Sequence, residues 1–402
     1  MSSIGQLALY VHIPFCETKC SYCDFNTYAG IEGLMPSYVG ALCREIIDWG
    51  NALGHPEVKS VFFGGGTPSY LPSEEISLIM RSIGSAFGVA PMAEITLESN
   101  PGDLTAAKLE TYLKCGINRV SIGVQSLSDR LLGLLGRRHS ASEAVNAYRM
   151  SVDSGFANVS IDLMYGLPYQ TLKDWEETLK DAVDLNPSHI SMYCLTLEKG
   201  TPMDRHVKSG QLPEPDSDLA ADMYLSAQNR LGGLGYHHYE ISNWALPGFE
   251  SSHNMTYWCN QPYLGVGPGA HSYLSGFRFF NIKSPREYLQ RFPVDGALRP
   301  RCKMEINAET IGSMVVVEEV EVIDRSLEMA ETLMMGLRLD TGVEDEEFIR
   351  RFGVTPSQVY DSTINELTCI GLLEIVDGST RLTPRGQMLG NEVFERVLSE
   401  RI

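Results

Sequence analysis

Runs of β-forming residues alternate with stretches of helical periodicity through the first half of this 402-residue chain, and that alternation narrows the accessible folds more than any other feature. Strands are predicted at residues 7–12, 59–63, 94–98, 119–123, 159–163 and 189–194, with amphipathic helices between them at 38–49, 74–87, 105–115, 141–154 and 172–185. Strand, helix, strand in that order makes parallel neighbours joined by crossovers. About six such units are present, where eight would close a standard barrel. The fold class is therefore α/β. The order fits a partial, open (β/α)6 TIM-like barrel, and a doubly wound sheet fits it too. A further helix is expected through 220–231 and a strand over 236–245.

Past about residue 300 the pattern changes. The acidic stretch EEVEVIDR (318–325) reads as a connection, and the remainder reads as helix, helix, hairpin and helix, the order of a small helical, winged-helix-like domain. The expected division is a barrel over 1–300, a connection over 301–325 and the small domain over 326–402. That last segment carries seven Arg, no Lys and fourteen acidic residues. A nucleic-acid surface needs a basic patch, so a structural or partner-docking role is expected there. The net charge of −19 for the whole chain argues the same way against nucleic acid and anionic membrane surfaces. The opening MSSIGQLALY has no basic region ahead of a long apolar one, and no apolar run is long enough to span a bilayer. A cytoplasmic, reducing compartment is expected, where clustered cysteines more often hold metal than form disulfides.

One such cluster follows the first predicted strand: VHIPFCETKCSYCDF (11–25) places Cys16, Cys20 and Cys23 in a Cys-x3-Cys-x2-Cys spacing. Structural zinc takes four Cys or His ligands, and this loop offers three; His12 is read as a strand histidine satisfied by hydrogen bonds. A [4Fe–4S] cluster held by three thiolates leaves one iron open to another ligand. Function in parallel α/β folds gathers at the carboxyl ends of the strands. There the chain carries GGGTP (64–68), then Glu98 in LESNP, Gln125 in SIGVQS and Asp162 in IDLMYGLP, and the sixth strand ends near Thr196; LGRRH, with Arg137, lies between the fourth and fifth strands.

With these motifs in this order, the sequence resembles the radical S-adenosylmethionine (SAM) superfamily, in its coproporphyrinogen III oxidase-like branch. The resemblance implies a [4Fe–4S] cluster on Cys16, Cys20 and Cys23. The amine and carboxylate of SAM would chelate its open iron, and electron transfer from the cluster would cleave SAM to a 5′-deoxyadenosyl radical. It further implies that Tyr10, Tyr22, Gly65, Gly66, Thr67, Glu98, Gln125, Arg137 and Asp162 position SAM, the glycines by letting free backbone amides and carbonyls come close to its amino-acid end.

Within that branch the chain is similar to the HemW-like heme chaperones rather than the oxidases. The oxidase loop continues Cys-x2-Cys-x-Cys, whereas Phe25 stands here at the last place. The oxidases carry a sizeable segment before their first strand, and here the first strand begins about six residues in. The pattern His253-Asn254-x-x-Tyr257-Trp258, followed by YLGVGPGAHSYL (263–274), is HemW-like. Heme as a ligand needs an axial donor and a flat apolar wall. His253 is the candidate donor and Tyr257 and Trp258 the candidate wall, with His271 and Cys259 as alternative iron ligands. The resemblance also implies acceptor heme proteins, respiratory and membrane-associated, as partners, with peripheral membrane association through them, and leaves room for a homodimer. Oxygen-independent coproporphyrinogen oxidation is the alternative activity.

Overall fold

The computed structural model of the chain describes residues 6–292 and 303–400. All six predicted strands are present: β1 (Leu7–Ile13), β2 (Glu57–Gly65), β3 (Gly88–Ser99), β4 (Arg119–Gln125), β5 (Asn158–Tyr165) and β6 (His189–Cys194). They lie side by side in chain order, each parallel to the next. The crossover helices are Met35–Leu53, Ser73–Ala86, Ala106–Lys114, Ala141–Asp153 and Leu172–Val183. Their starts are written in the sequence. Ser140 with Glu143 and Thr171 with Asp174 form capping boxes that satisfy the first backbone amides of two of them. Leu42, Ile46 and Trp49, spaced to share one face of the first helix, are fully buried in the core that covers the sheet. Each such side chain contributes about 1.5–3 kcal/mol by leaving water.

The sheet does not stop at six. A tight hairpin, β7 (His237–Glu240) and β8 (Asn243–Ala245), packs antiparallel beside β6, so the single strand expected over 236–245 is two. On the other side β9 (Tyr263–Val266) runs parallel to β1, followed by β10 (His271–Leu274), β11 (Phe277–Asn281) and β12 (Val317–Val322). The order is β12-β11-β10-β9-β1-β2-β3-β4-β5-β6-β8-β7, with no pairing that closes the two ends among the described residues. The parallel barrel is partial, as expected. The acidic stretch read as a connection is an edge strand for most of its length. Val317 and Val320 pack against the core while Glu318, Glu319 and Glu321 face solvent. The register with β11 is irregular at Phe280/Asn281, so the strand lacks the clean two-residue alternation that would have marked it in the sequence.

The C-terminal region has its own core, which includes Leu333, Leu337, Phe348, Ile364, Leu367, Val393 and Val397. Helices Arg325–Gly336, Asp345–Phe352, Asp361–Cys369 and Gly390–Ser399 surround a three-stranded sheet of β13 (Val343–Glu344), β14 (Leu373–Val376) and β15 (Ser379–Leu382). The helix–hairpin–helix order is the expected one. The expected division at 300/301 lies outside the described residues.

Candidate cluster and cofactor site

The chain leaves β1 into a loop that is pinned at several points. The Cys16 amide donates to the Tyr28 carbonyl and the Tyr28 amide to that of Pro14, at 3.0 and 2.8 Å. Ser21 is tied by its amide and hydroxyl to Leu135. Asn26 Nδ2 donates to the carbonyls of Pro268 and Lys283, both at 2.9 Å, which locks the loop onto the turn before β10 and the segment after β11. Cys16, Cys20 and Cys23 all line one cavity of about 460 Å³ at the carboxyl ends of the parallel strands. Among the described residues no group of three ligating side chains closes on a single metal ion. Burial raises the thiol pKa of Cys16 and Cys23, so without a metal they are held protonated. His12 is not a fourth ligand: its ring nitrogens face the Tyr10 hydroxyl and the Asn26 carbonyl, both at 3.0 Å.

The residues that the resemblance assigns to SAM converge, with one exception, on the same cavity. Tyr22, Gly65, Gly66, Thr67, Glu98, Gln125, Arg137 and Asp162 all line it. Tyr10 does not. It faces a second cavity of about 420 Å³, which shares Phe25, Gly65 and Glu98 with the first. Gln125 sits at φ 65°, a left-handed conformation unusual for a residue with a side chain. Its buried Oε1 has no partner among the described residues, and neither does Arg137 Nε. Orphaned polar atoms facing a cavity are what a polar ligand would satisfy. Arg137 also reaches Cys20 Sγ at 3.4 Å and the Gly123 carbonyl at 2.7 Å, so it ties the cysteine loop to β4. The short helix Asp129–Leu135, absent from the sequence reading, delivers it by ending on Gly136 at φ 73°.

Two carboxylates share the floor. Burial, then the nearby Asp162, raises Glu98 to about 8, and burial raises Asp162 as well. Asp162 accepts from the Ser121 hydroxyl at 3.0 and 3.1 Å. The glycine turn differs from expectation in one respect. The Gly66 and Thr67 amides donate to the carbonyls of Ile13 and Phe15, at 2.7 and 2.8 Å. These amides are therefore spent within the chain, and the turn offers a ligand its carbonyls.

The HNxxYW residues lie on the helix Ser252–Trp258 and do not form one site. His253 is buried and stacked on Phe62, with Nδ1 on the Ser60 hydroxyl at 3.0 Å and Nε2 on the Tyr257 hydroxyl at 2.9 Å. Ligation by His253 would require breaking one of these bonds and uncovering the ring. Tyr257 lines the second cavity, as does His271. Trp258 faces the C-terminal region, 4.3 Å under the Arg338 guanidinium, and with Cys259 borders a smaller, separate cavity. Sequence reasoning missed Ser121, Asn26, Tyr193 and Cys194. The last two line the first cavity at the end of β6, where the strand-end rule points.

Residues 10–182 match the radical SAM superfamily and residues 323–389 the HemN C-terminal domain. The heme chaperone HemW of Bacillus subtilis is 36% identical over 97% of this chain and 99% of its own. That of Escherichia coli K12 is 33% identical over the full length of both. The mouse mitochondrial radical S-adenosyl methionine domain-containing protein 1 is 36% identical over 86% of this chain and 76% of its own. Among solved structures, the coproporphyrinogen III oxidase HemN of Escherichia coli superposes with a TM-score of 0.82 at 22% identity, over 98% of this chain and 91% of that one, a likeness of fold. Near-complete coverage at this identity, with the cysteine loop and strand-end residues in one cavity, makes the chain a member of the HemW family within the radical SAM superfamily.

Proposed function

We propose that this protein is a heme chaperone: it binds heme and passes it to acceptor heme proteins of the respiratory chain, and it carries a [4Fe–4S] cluster on Cys16, Cys20 and Cys23 with SAM beside it. The observation that carries this reading is the full-length similarity to relatives named heme chaperones. Phe25 in place of a further cysteine, 65% exposed between the two cavities, supports it over the oxidase reading suggested by the fold. No helix among the described residues is long and apolar enough to cross a membrane. We place the protein in the cytoplasm, reaching membrane-bound acceptors by contact with them, with a homodimer as one form it could take. SAM on a reduced cluster supplies radical chemistry when bound. The chain's own part is to hold SAM: Glu98 and Asp162 accept from hydroxyl or ammonium groups, and Arg137 pairs with a carboxylate.

Two measurements test this. Anaerobically reconstituted protein should bind heme saturably with a Soret band and leave coproporphyrinogen III unconsumed. Robust decarboxylation without saturable heme binding would reverse the assignment to the oxidase. Asp162→Ala should weaken SAM binding roughly ten- to hundredfold with the cluster intact, since a hydrogen bond to a charged group contributes about 1.5–3 kcal/mol. Unchanged SAM affinity in both the Asp162 and Glu98 variants would make these carboxylates structural.

A further inference from the structure

The second cavity carries the aromatic walls of a site for a flat apolar ring, and a histidine unlike the other two at or behind it. Tyr257 and Tyr263 meet edge to face at 4.7 Å on its wall, and Phe25 closes the side toward the cysteine loop. His271, at the start of β10, is exposed and stacked on Phe280 at 5.2 Å. Its ring nitrogens have no hydrogen-bond partner among the described residues. His12, which borders the same cavity, has both nitrogens engaged, as does His253 behind it. Lys283 lies over the far ring of the stack, 5.9 Å from the Phe280 centroid, and is exposed with no ion pair among the described residues.

We infer that this cavity is where the heme of the proposed function sits, with His271 as its axial ligand and Lys283 pairing with a propionate. The assignment rests on the chaperone reading for the identity of the ring. Imidazole is a common protein ligand to heme iron, and it binds through a nitrogen not committed elsewhere. Partial desolvation of the ring against its neighbours, then the nearby Lys283 and Arg278 charges, lower the His271 pKa and favour the neutral, ligating form. The aromatic walls cover the macrocycle faces, and the cation serves the one charged edge of an otherwise apolar ligand. No second uncommitted histidine borders the cavity among the described residues, so one axial position is left open.

The test is a hemin titration of the full-length chain, anaerobic and followed by the Soret band and by electron paramagnetic resonance. Wild type should show high-spin ferric heme that turns low-spin when imidazole is added. His271→Ala should weaken binding at least about tenfold, with added imidazole restoring the wild-type spectrum. Lys283→Glu should weaken hemin binding but leave its dimethyl ester, which lacks the carboxylates, unaffected. His253→Ala should keep the wild-type spin state. Unchanged affinity and spectrum in His271→Ala, with hemin binding in the wild type intact, would overturn this site alone. A wild-type chain that takes up no hemin would overturn both the site and the chaperone reading.

Discussion

Alanine at Cys16, Cys20 or Cys23 is expected to abolish the charge-transfer absorbance of the reconstituted cluster, while alanine at Cys43, Cys115 or Cys369 leaves it intact. Wild type should hold about four irons and four sulfides per chain. A thiolate is a soft, charged ligand that the oxygen and cationic nitrogen groups on the cavity wall do not replace. Cys194 makes the informative control. It lines the same cavity but comes from β6, outside the pinned loop, and its replacement should leave the cluster in place. Burial raises Cys16 and Cys23, and ligation requires the thiolate, so cluster assembly should become easier as pH rises. A stable cluster in Cys20→Ala, measured by iron, sulfide and absorbance together, would sink the assignment.

The second large effect is expected far from the thiols. Glu45, 1% exposed on the first helix, accepts from the Gly267 amide at 2.9 Å, from Asn281 Nδ2 at 2.7 Å and from the Tyr288 hydroxyl. It thereby fastens that helix to the turn holding His271 and Asn26. Gly267 sits at φ 97° against the His12 carbonyl, where a Cβ would be 2.7 Å away, so the turn cannot shift inward to compensate. Glu45→Ala leaves three buried donors short of a partner and should cost about 3 kcal/mol or more in a urea melt. A loss below about 1 kcal/mol would show that the site collapses or hydrates at little cost. Burial, offset in part by these donors, raises Glu45 from 4.5 to about 7. The folded chain then holds this proton over a window where the unfolded chain has lost it. The resulting stability is fully present below about pH 4.5 and is lost as pH rises through about 7. Glu45→Gln, which cannot titrate, should show a flatter stability profile across that window.

The six parallel strands could be read from sequence because each is a short apolar run bounded by turn residues. The strand-end rule then brought Glu98, Gln125 and Asp162 to one cavity without any knowledge of side-chain geometry, whereas Arg137, which follows a helix rather than a strand, came from the family resemblance. What escaped was set by tertiary context. Asn26 matters through Pro268 and Lys283, more than two hundred residues away, and nothing local announces that. The helix Asp129–Leu135 is only seven residues long, too short for a periodic signal. The grouping of His253, Tyr257 and Trp258 could have been questioned from periodicity alone. Positions i and i+4 share a helix face, whereas i+5 falls about 140° further round, so Trp258 had to point elsewhere than His253.

The outermost strand β12 bears on self-association. Its backbone edge beyond β11 has no further strand among the described residues, and such an edge invites another chain to extend the sheet. Glu318, Glu319 and Glu321 guard it. Two copies meeting edge to edge would crowd two rows of glutamates together and desolvate them at the same time. The charge therefore disfavours growth of the sheet from molecule to molecule at this border.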